Sequence, residues 1–170
     1  MKHGKVRGFT LLEVMVSVAV FSIIMMLTGM ILQGGGDQAR LASLKMNLQE
    51  SSRESLYRMG LEIRESSPSR VAVGANGSSL TFQIPANVSN AGVITWSNSI
   101  TYQRGGNGNQ LVRVSGGQTR ILANDIQNVN FSATGAPVST IVFSVTAQRA
   151  LINGRVLSVA STGEARLRNP

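Results

Sequence analysis

An uninterrupted apolar segment near the amino terminus constrains this chain more than any other feature. Phe9–Leu32 is a run of 24 residues whose only charged member is Glu13. At 1.5 Å per residue, such a helix would reach about 36 Å and could cross a hydrocarbon layer of about 30 Å. Lys2, Lys5 and Arg7 precede the run. Because positive charges stay on the cytoplasmic side, we expect a single span with the following residues outside the cytoplasm.

The alternative to a membrane span is an ordinary cleaved signal peptide. Such a peptide has an apolar core of about 7–15 residues followed by a small-residue cleavage site. Here the run is longer, and the small residue at the junction of the basic and apolar segments, Gly8, precedes it. The pattern therefore favours a retained helix over a conventional signal.

Glu13 is the residue in this run that needs an explanation. A carboxylate within a bilayer costs on the order of 2.5–3.5 kcal/mol, so it is rarely found without a partner. Glu13 could be tolerated near the interface by reaching towards water. If the chain is cut between Gly8 and Phe9, however, a new α-amino group appears one helical turn away. On a neighbouring subunit that amine could pair with the Glu13 carboxylate.

The residues around this junction resemble the processing site of type IV prepilins and type II secretion pseudopilins. They are Lys5-Val6-Arg7-Gly8 followed by Phe9-Thr10-Leu11-Leu12-Glu13-Val14. In that family a short basic leader ends in Gly, the mature chain begins with Phe, and its fifth residue is Glu. The resemblance implies cleavage after Gly8 by a prepilin peptidase, N-methylation of Phe9, and a role for Glu13 in subunit assembly. It also implies an inner-membrane assembly platform and other pilin or pseudopilin subunits as partners.

A helical pattern continues beyond the apolar run and predicts an amphipathic helix over residues 34–68, after the assembly half at 9–33. One face of this helix is apolar except for Ser52. Its members are Leu41, Leu44, Leu48, Leu56, Met59 and Ile63. The charged residues, including Glu54, Arg58 and Glu62, are placed on the opposite face, and Pro68 is expected to end the helix.

Gly34-Gly35-Gly36 lies where the bilayer should end. Three glycines cost about 2–3 kcal/mol of helix propensity relative to alanine, which predicts a break or flexible kink. Residues 34–39 formally fit the pattern G-x-G-x-x-A of dinucleotide-binding loops. That motif requires a preceding strand, so we reject a nucleotide site.

From residue 69 to 170 the pattern changes to the two-residue period of β-strands. Leu80–Ile84, Ile100–Tyr102 and Ile141–Ala147 alternate, and turn signals such as Gly116-Gly117 and Asn153-Gly154 separate the runs. Short connections predict antiparallel strands, with one face on the amphipathic helix. The expected fold class is α+β. This short, strand-rich layout looks more like a minor pilin or J-type minor pseudopilin than a major pilin. Many major pilins close a carboxy-terminal loop with a disulfide, which this chain cannot form because it has no Cys.

The residues offer little for catalysis. The only histidine, His3, lies in the leader (residues 1–8), and Asp125 and Glu164 are the only acids after residue 65. Without Cys or a second His, we expect no catalytic site, no metal site and no cofactor.

A binding role rests on the arginines of the β-rich region. Residues 66–170 hold eight arginines against two acids, a net charge of +6 by subtraction. Arginine suits contact with phosphate, and Trp96 and Tyr102 could stack on single-stranded nucleic acid. The simpler interpretation is a scattered, solvated or subunit-contacting surface. We therefore expect a structural subunit of a type IV pilus or type II secretion pseudopilus, located in the inner membrane with its carboxy-terminal domain in the periplasm or outside the cell. The alternatives are a signal-anchored periplasmic binding protein that does not polymerise, and a subunit of a DNA-uptake (competence) pilus.

Overall fold

The computed structural model describes residues 9–105, 107–151 and 154–168. A single long helix, α1 (Leu11–Arg64), comes first, and the strands follow it. They are β1 (Val71–Val73), β2 (Ser79–Phe82), β3 (Pro85–Val88), β4 (Ile94–Trp96), β5 (Ile100–Gly105), β6 (Gln110–Ser115), β7 (Gln118–Asn124), β8 (Ile126–Thr134), β9 (Thr140–Ala150) and β10 (Val156–Arg166). The α+β class with antiparallel strands is confirmed. The chain divides into two compact units between Ser43 and Leu44.

The helix α1 differs from the expectation in two places. Of the break or flexible kink predicted at Gly34–Gly36, the break was wrong, because these residues lie inside α1, and the kink stays a prediction. A propensity cost of about 1 kcal/mol per glycine did not outweigh the backbone hydrogen bonds that continue the helix on both sides. The helix also ends at Arg64 rather than at Pro68, which instead begins a short 3-10 turn over Pro68–Arg70.

The apolar stripe of the second half of α1 is buried as predicted from Leu48 onwards, whereas Leu41 and Leu44 are only half-buried. Leu48, Leu56, Met59 and Ile63 belong to the hydrophobic core, and Met59 and Ile63 have no exposed surface. Ser52 fills the gap in the stripe. It is fully buried, and its hydroxyl donates to the carbonyl of Leu48 at 2.8 Å, so this hydroxyl is not left unsatisfied in the core.

The strands form three antiparallel sheets. The largest has the order β1-β2-β5-β6-β7, the second has the order β10-β9-β8, and among the described residues β3 pairs only with β4. The turn between β6 and β7 is made by Gly116 and Gly117, both with positive φ (57° and 79°), as a two-residue hairpin of the mirror-image type requires. The hairpin turn predicted at Asn153-Gly154 falls partly outside the described residues, but β9 and β10 pair through Ala150 and Val156 on either side of it.

The core lies between α1 and the two larger sheets. On β9 the side chains of Ile141, Phe143, Val145 and Ala147 are all buried, which confirms the predicted alternation. Phe143 reaches towards α1 between two glycines. A Cβ on Gly163 would lie 2.8 Å from Cζ of Phe143, and a Cβ on Gly60 would lie 3.5 Å from the same atom. The ring therefore occupies the space that a side chain at residue 163 would need.

Candidate functional site

The first half of α1 is a fully exposed apolar helix. Leu11–Leu32 is long and apolar enough to cross a membrane, with a mean hydropathy of 2.4, and none of it is buried. Every large apolar side chain from Phe9 to Leu32 is more than half exposed. An apolar surface of this extent around a whole helix requires lipid or other protein chains around it.

The hydroxyl groups of this helix bond to its own backbone. Ser17 donates to the carbonyl of Glu13 at 2.7 Å, Ser22 to Val18 at 2.8 Å and Thr28 to Ile24 at 2.8 Å. Because each hydroxyl hydrogen is used one turn earlier in the same helix, these side chains add little polarity to the apolar surface.

The start of α1 is fixed by a capping interaction that the sequence interpretation missed. The backbone N–H of Glu13 donates to Oγ1 of Thr10 at 3.3 Å and to the carbonyl of Thr10 at 3.1 Å. Thr10 therefore acts as the N-cap, and Glu13 occupies the third helical position. The spacing Thr-x-x-Glu is the signature of a capping box and was available in the sequence.

Glu13 lies in the first turn of α1, where the helix dipole favours a negative charge. Within residues 9–105, 107–151 and 154–168, the Glu13 carboxylate makes no hydrogen bond and no ion pair. Phe9 precedes the helix with an 81% exposed side chain. Gly8, the proposed cleavage residue, and the rest of the leader lie outside the described residues.

A second polar site lies where α1 meets the five-stranded sheet. The predicted position of Glu62 on the solvent face of α1 was wrong, because Oε2 of Glu62 accepts hydrogen bonds from the Tyr102 hydroxyl at 2.8 Å and from Nε of Arg113 at 2.9 Å. Periodicity places a charged residue on the border of the apolar stripe, but it does not reveal a partner on a distant strand. By contrast, Glu54 and Arg58 form the expected exposed pair at 2.6 Å.

Burial and the neighbouring charges shift the pKa values in this Glu62 network. Burial, followed by the charge of Glu62, raises the pKa of Tyr102 far above its ordinary value. Burial alone would lower the pKa of Arg113, but the hydrogen bond and the charge of Glu62 outweigh it and raise that pKa. The phenol is therefore neutral and the guanidinium charged at all ordinary pH values. The network fixes α1 to the sheet.

Several arginines of the β-rich region are engaged within the fold. Arg113 pairs with Glu62, and Arg149 pairs with Asp125 at 2.9 Å. Arg104 donates to the carbonyls of Gly108 and Gln127, and Arg70 lies over the ring of Trp96 at 5.3 Å. These four arginines belong to different strands and turns. Nucleic-acid binding stays an untested alternative to the scattered surface predicted from the sequence, and the expectation that the chain is not an enzyme stays a prediction.

Comparison with known proteins identifies the amino-terminal segment only. A family model described as the prokaryotic N-terminal methylation motif matches residues 4–29. No curated protein and no solved structure matches the chain. The matched residues contain the basic-to-apolar junction, the Thr10 cap, Glu13 and most of the exposed apolar helix.

Proposed function

Because this chain is a type IV prepilin-like protein, anchored by one amino-terminal span, we propose that it serves as a structural minor subunit of a type IV pilus or a type II secretion pseudopilus. Prepilin peptidase removes residues 1–8, the new amino terminus at Phe9 is methylated, and the subunit polymerises through the first half of α1. The observation that carries this proposal is the fully exposed apolar segment Leu11–Leu32, which contains one carboxylate, Glu13, in its first turn.

The proposed assembly contact is an ion pair between two subunits. Cleavage creates a charged amine on Phe9, four residues and about 6 Å along the helix axis from Glu13. Placed beside the Glu13 of a neighbouring copy, that amine neutralises a carboxylate that would cost several kcal/mol if left alone in an apolar surrounding. The pair therefore favours one axial offset between adjacent helices.

The proposed cycle has two stages. The processed subunit waits in the inner membrane with its carboxy-terminal region on the far side, and an assembly platform then transfers its helix into the filament core. Contacts with neighbouring helices replace those with lipid. Because Ser17, Ser22 and Thr28 already donate to carbonyls of their own helix, the transfer breaks no hydrogen bond of these side chains.

Replacement of Glu13 tests the proposal. We expect Glu13→Ala to be cleaved and inserted into the membrane as the unmodified chain is, but to be depleted from sheared filaments. Glu13→Asp, which keeps the charge, should retain part of the incorporation. Ser17→Ala, one turn further along the helix, is the matched control and should assemble normally. Immunoblots of the membrane and sheared fractions measure both steps. Incorporation of Glu13→Ala at the unmodified level would refute the ion pair.

Sequencing of the amino terminus tests the processing step. Protein extracted from membranes should begin with methylated Phe9. Retention of residues 1–8 in cells that contain the peptidase would instead indicate a signal-anchored protein that does not polymerise.

A further inference from the structure

The strand β10 forms an open edge of the three-stranded sheet. All 11 of its residues pair with β9 in unbroken register, and within the described part of the chain no other strand pairs with it. It contains no proline and no bulge, and residues 156–163 carry no charge. Proteins usually protect a long edge with such features or with a covering element. An edge without them is suited to pairing with an added strand.

Alternate residues of β10 direct their backbone groups away from β9. At one end of the β9–β10 register, the N–H of Leu151 donates to the carbonyl of Arg155 at 2.8 Å. At the other end, the N–H of Leu167 donates to the carbonyl of Ser139 at 2.9 Å. Because bonded and non-bonded pairs alternate in an antiparallel ladder, the odd-numbered residues bond to β9 and the even-numbered ones point outward. The outward row consists of Val156, Ser158, Ala160, Thr162, Glu164 and Arg166.

This outward row of β10 ends at the carboxyl end of α1. The N–H of Arg168, the next group in the row, donates to the carbonyl of Arg64 at 3.0 Å. A backbone group outside the sheet therefore bonds to this side of the chain one position beyond β10. The six residues of the row itself have no such backbone partner in the described residues, so their N–H and C=O groups are available to an added strand.

A groove between the open edge and α1 is lined with apolar groups. It has a volume of about 200 Å³, and its walls include Tyr57 and Leu61 of α1 and Glu164 of β10. The side chains of Tyr57 and Leu61 are 68% and 44% exposed. On the core side of β10, Leu157 and Val159 are only half-buried. A strand added at the edge would cover these apolar groups with every second side chain.

Three arginines lie together where this groove reaches the end of α1. Arg64, Arg166 and Arg168 line an open depression of about 680 Å³, which shares Arg64 and Glu164 with the groove. Within residues 9–105, 107–151 and 154–168, the three guanidinium groups and the Glu164 carboxylate make no hydrogen bond and no ion pair. Three cations and one anion leave a net charge of +2. The negative end of the α1 dipole accounts for Arg64 alone.

The open edge and the arginines together select a polypeptide rather than a nucleic acid. Both kinds of ligand would satisfy the positive charge, but only a peptide backbone supplies N–H and C=O groups at the spacing of the outward row. We propose that β10 binds an extended acidic segment of another protein, which adds a strand at the open edge and places its carboxylates beside Arg64, Arg166 and Arg168. One copy of the chain forms the whole site, so this inference goes beyond the proposed function and does not depend on polymerisation.

Binding of synthetic peptides to the full chain in detergent micelles tests this inference. Two fluorescein-labelled probes alternate threonine and valine, and carry a pair of aspartates at the amino or at the carboxyl end to serve both strand directions. Fluorescence anisotropy at low salt should show saturable binding of one of them. The same peptide with lysines in place of the aspartates should bind at least about 10-fold more weakly. A peptide in which prolines follow the aspartates keeps the charge, has no N–H to donate, and should bind as weakly.

Variants of the chain locate the site. Arg166→Gln and Arg168→Gln combined should weaken binding of the aspartate peptide by about 10-fold, because each exposed ion pair contributes up to about fivefold. Arg120→Gln is the matched control, since Arg120 is an exposed arginine on β7 of the other large sheet, and should change binding less than about twofold. Ala160→Pro removes an outward N–H that β9 does not use, so it should weaken binding and leave the circular dichroism spectrum unchanged.

Three results would overturn the inference. They are the absence of saturable binding by either aspartate peptide, equal binding of the proline peptide, and unchanged binding after both arginines are replaced. Tighter binding of an oligothymidylate than of either peptide would also overturn it, and would assign the arginines to nucleic acid instead. None of these results bears on cleavage after Gly8 or on entry into filaments, so the proposed function would stand.

Discussion

Removal of the Glu62 carboxylate should destabilise the carboxy-terminal unit far more than removal of an exposed glutamate from the same helix. In Glu62→Leu, the Tyr102 hydroxyl, on a residue that is 1% exposed, loses its acceptor. An unsatisfied buried hydroxyl costs about 1–3 kcal/mol, and the lost charge-assisted bond to Arg113 adds to it. Because the side chains of Arg113 and Glu62 remain 25% and 33% exposed, Arg113 can recover hydration. We expect a total loss of about 2–3 kcal/mol.

A double-mutant cycle separates the hydrogen bond from general effects of the substitution. Tyr102→Phe alone removes the donor while Glu62 keeps Arg113, and should cost about 1 kcal/mol. In the double variant no hydroxyl is left unsatisfied, so its cost should fall below the sum of the single costs by about 1 kcal/mol. Glu54→Leu is the control, because it breaks only the exposed pair with Arg58 and should cost less than about 0.5 kcal/mol.

Urea unfolding of a fragment comprising residues 37–170, followed by the fluorescence of the single tryptophan, Trp96, measures these differences. If the costs of Glu62→Leu and Tyr102→Phe add to within about 0.3 kcal/mol, the hydrogen bond contributes no coupling and the reasoning is refuted. A loss for Glu54→Leu equal to that for Glu62→Leu would refute it also.

Two further outcomes can be checked with the same fragment. Gly163→Ala should cost about 1–3 kcal/mol because its methyl group would overlap the Phe143 ring. Gly60→Ala is the control, because its methyl group would lie 3.5 Å from Cζ of Phe143 and should cause no steric overlap. Equal losses in urea unfolding would contradict this packing. The fragment should also lose stability above about pH 10, by up to about 1.4 kcal/mol per pH unit, because Tyr102 ionises in the unfolded chain while its raised pKa keeps it protonated in the fold. Tyr102→Phe should abolish this part of the decline. An unchanged slope of stability against pH in that variant would contradict the role given to Tyr102.

The sequence predicted those parts of the structure in which one local pattern decides the outcome. The buried residues of α1 follow the helical period, and the buried residues of β9 follow the two-residue period, because each element buries one face. The apolar run and the position of Glu13 were likewise visible without coordinates. The cap at Thr10 was present as a Thr-x-x-Glu spacing and could have been found.

The remaining features depend on contacts between distant parts of the chain. Glu62 meets Tyr102 and Arg113, which lie 40 and 51 residues further along, and nothing local to Glu62 indicates either contact. The division of the ten strands in the described residues into three sheets is likewise set by tertiary packing. At Gly34–Gly36 the low helix propensity of glycine was misleading, because its small cost per residue is outweighed by the cooperative hydrogen bonding of a 54-residue helix.

The hydroxyls in the first half of α1 bond to the backbone of their own helix. This segment therefore needs no polar partner from its surroundings, whether these are lipid or protein. Ser17, Ser22 and Thr28 supply their hydrogens to the helix itself, so they demand no donor or acceptor from a lipid tail or from another chain. The free-energy difference between lipid and protein surroundings then depends on how completely the apolar surface is covered and on whether the Glu13 carboxylate has a cationic partner. A segment built in this way can pass from lipid to other apolar surroundings, or back, without leaving these three hydroxyls unsatisfied.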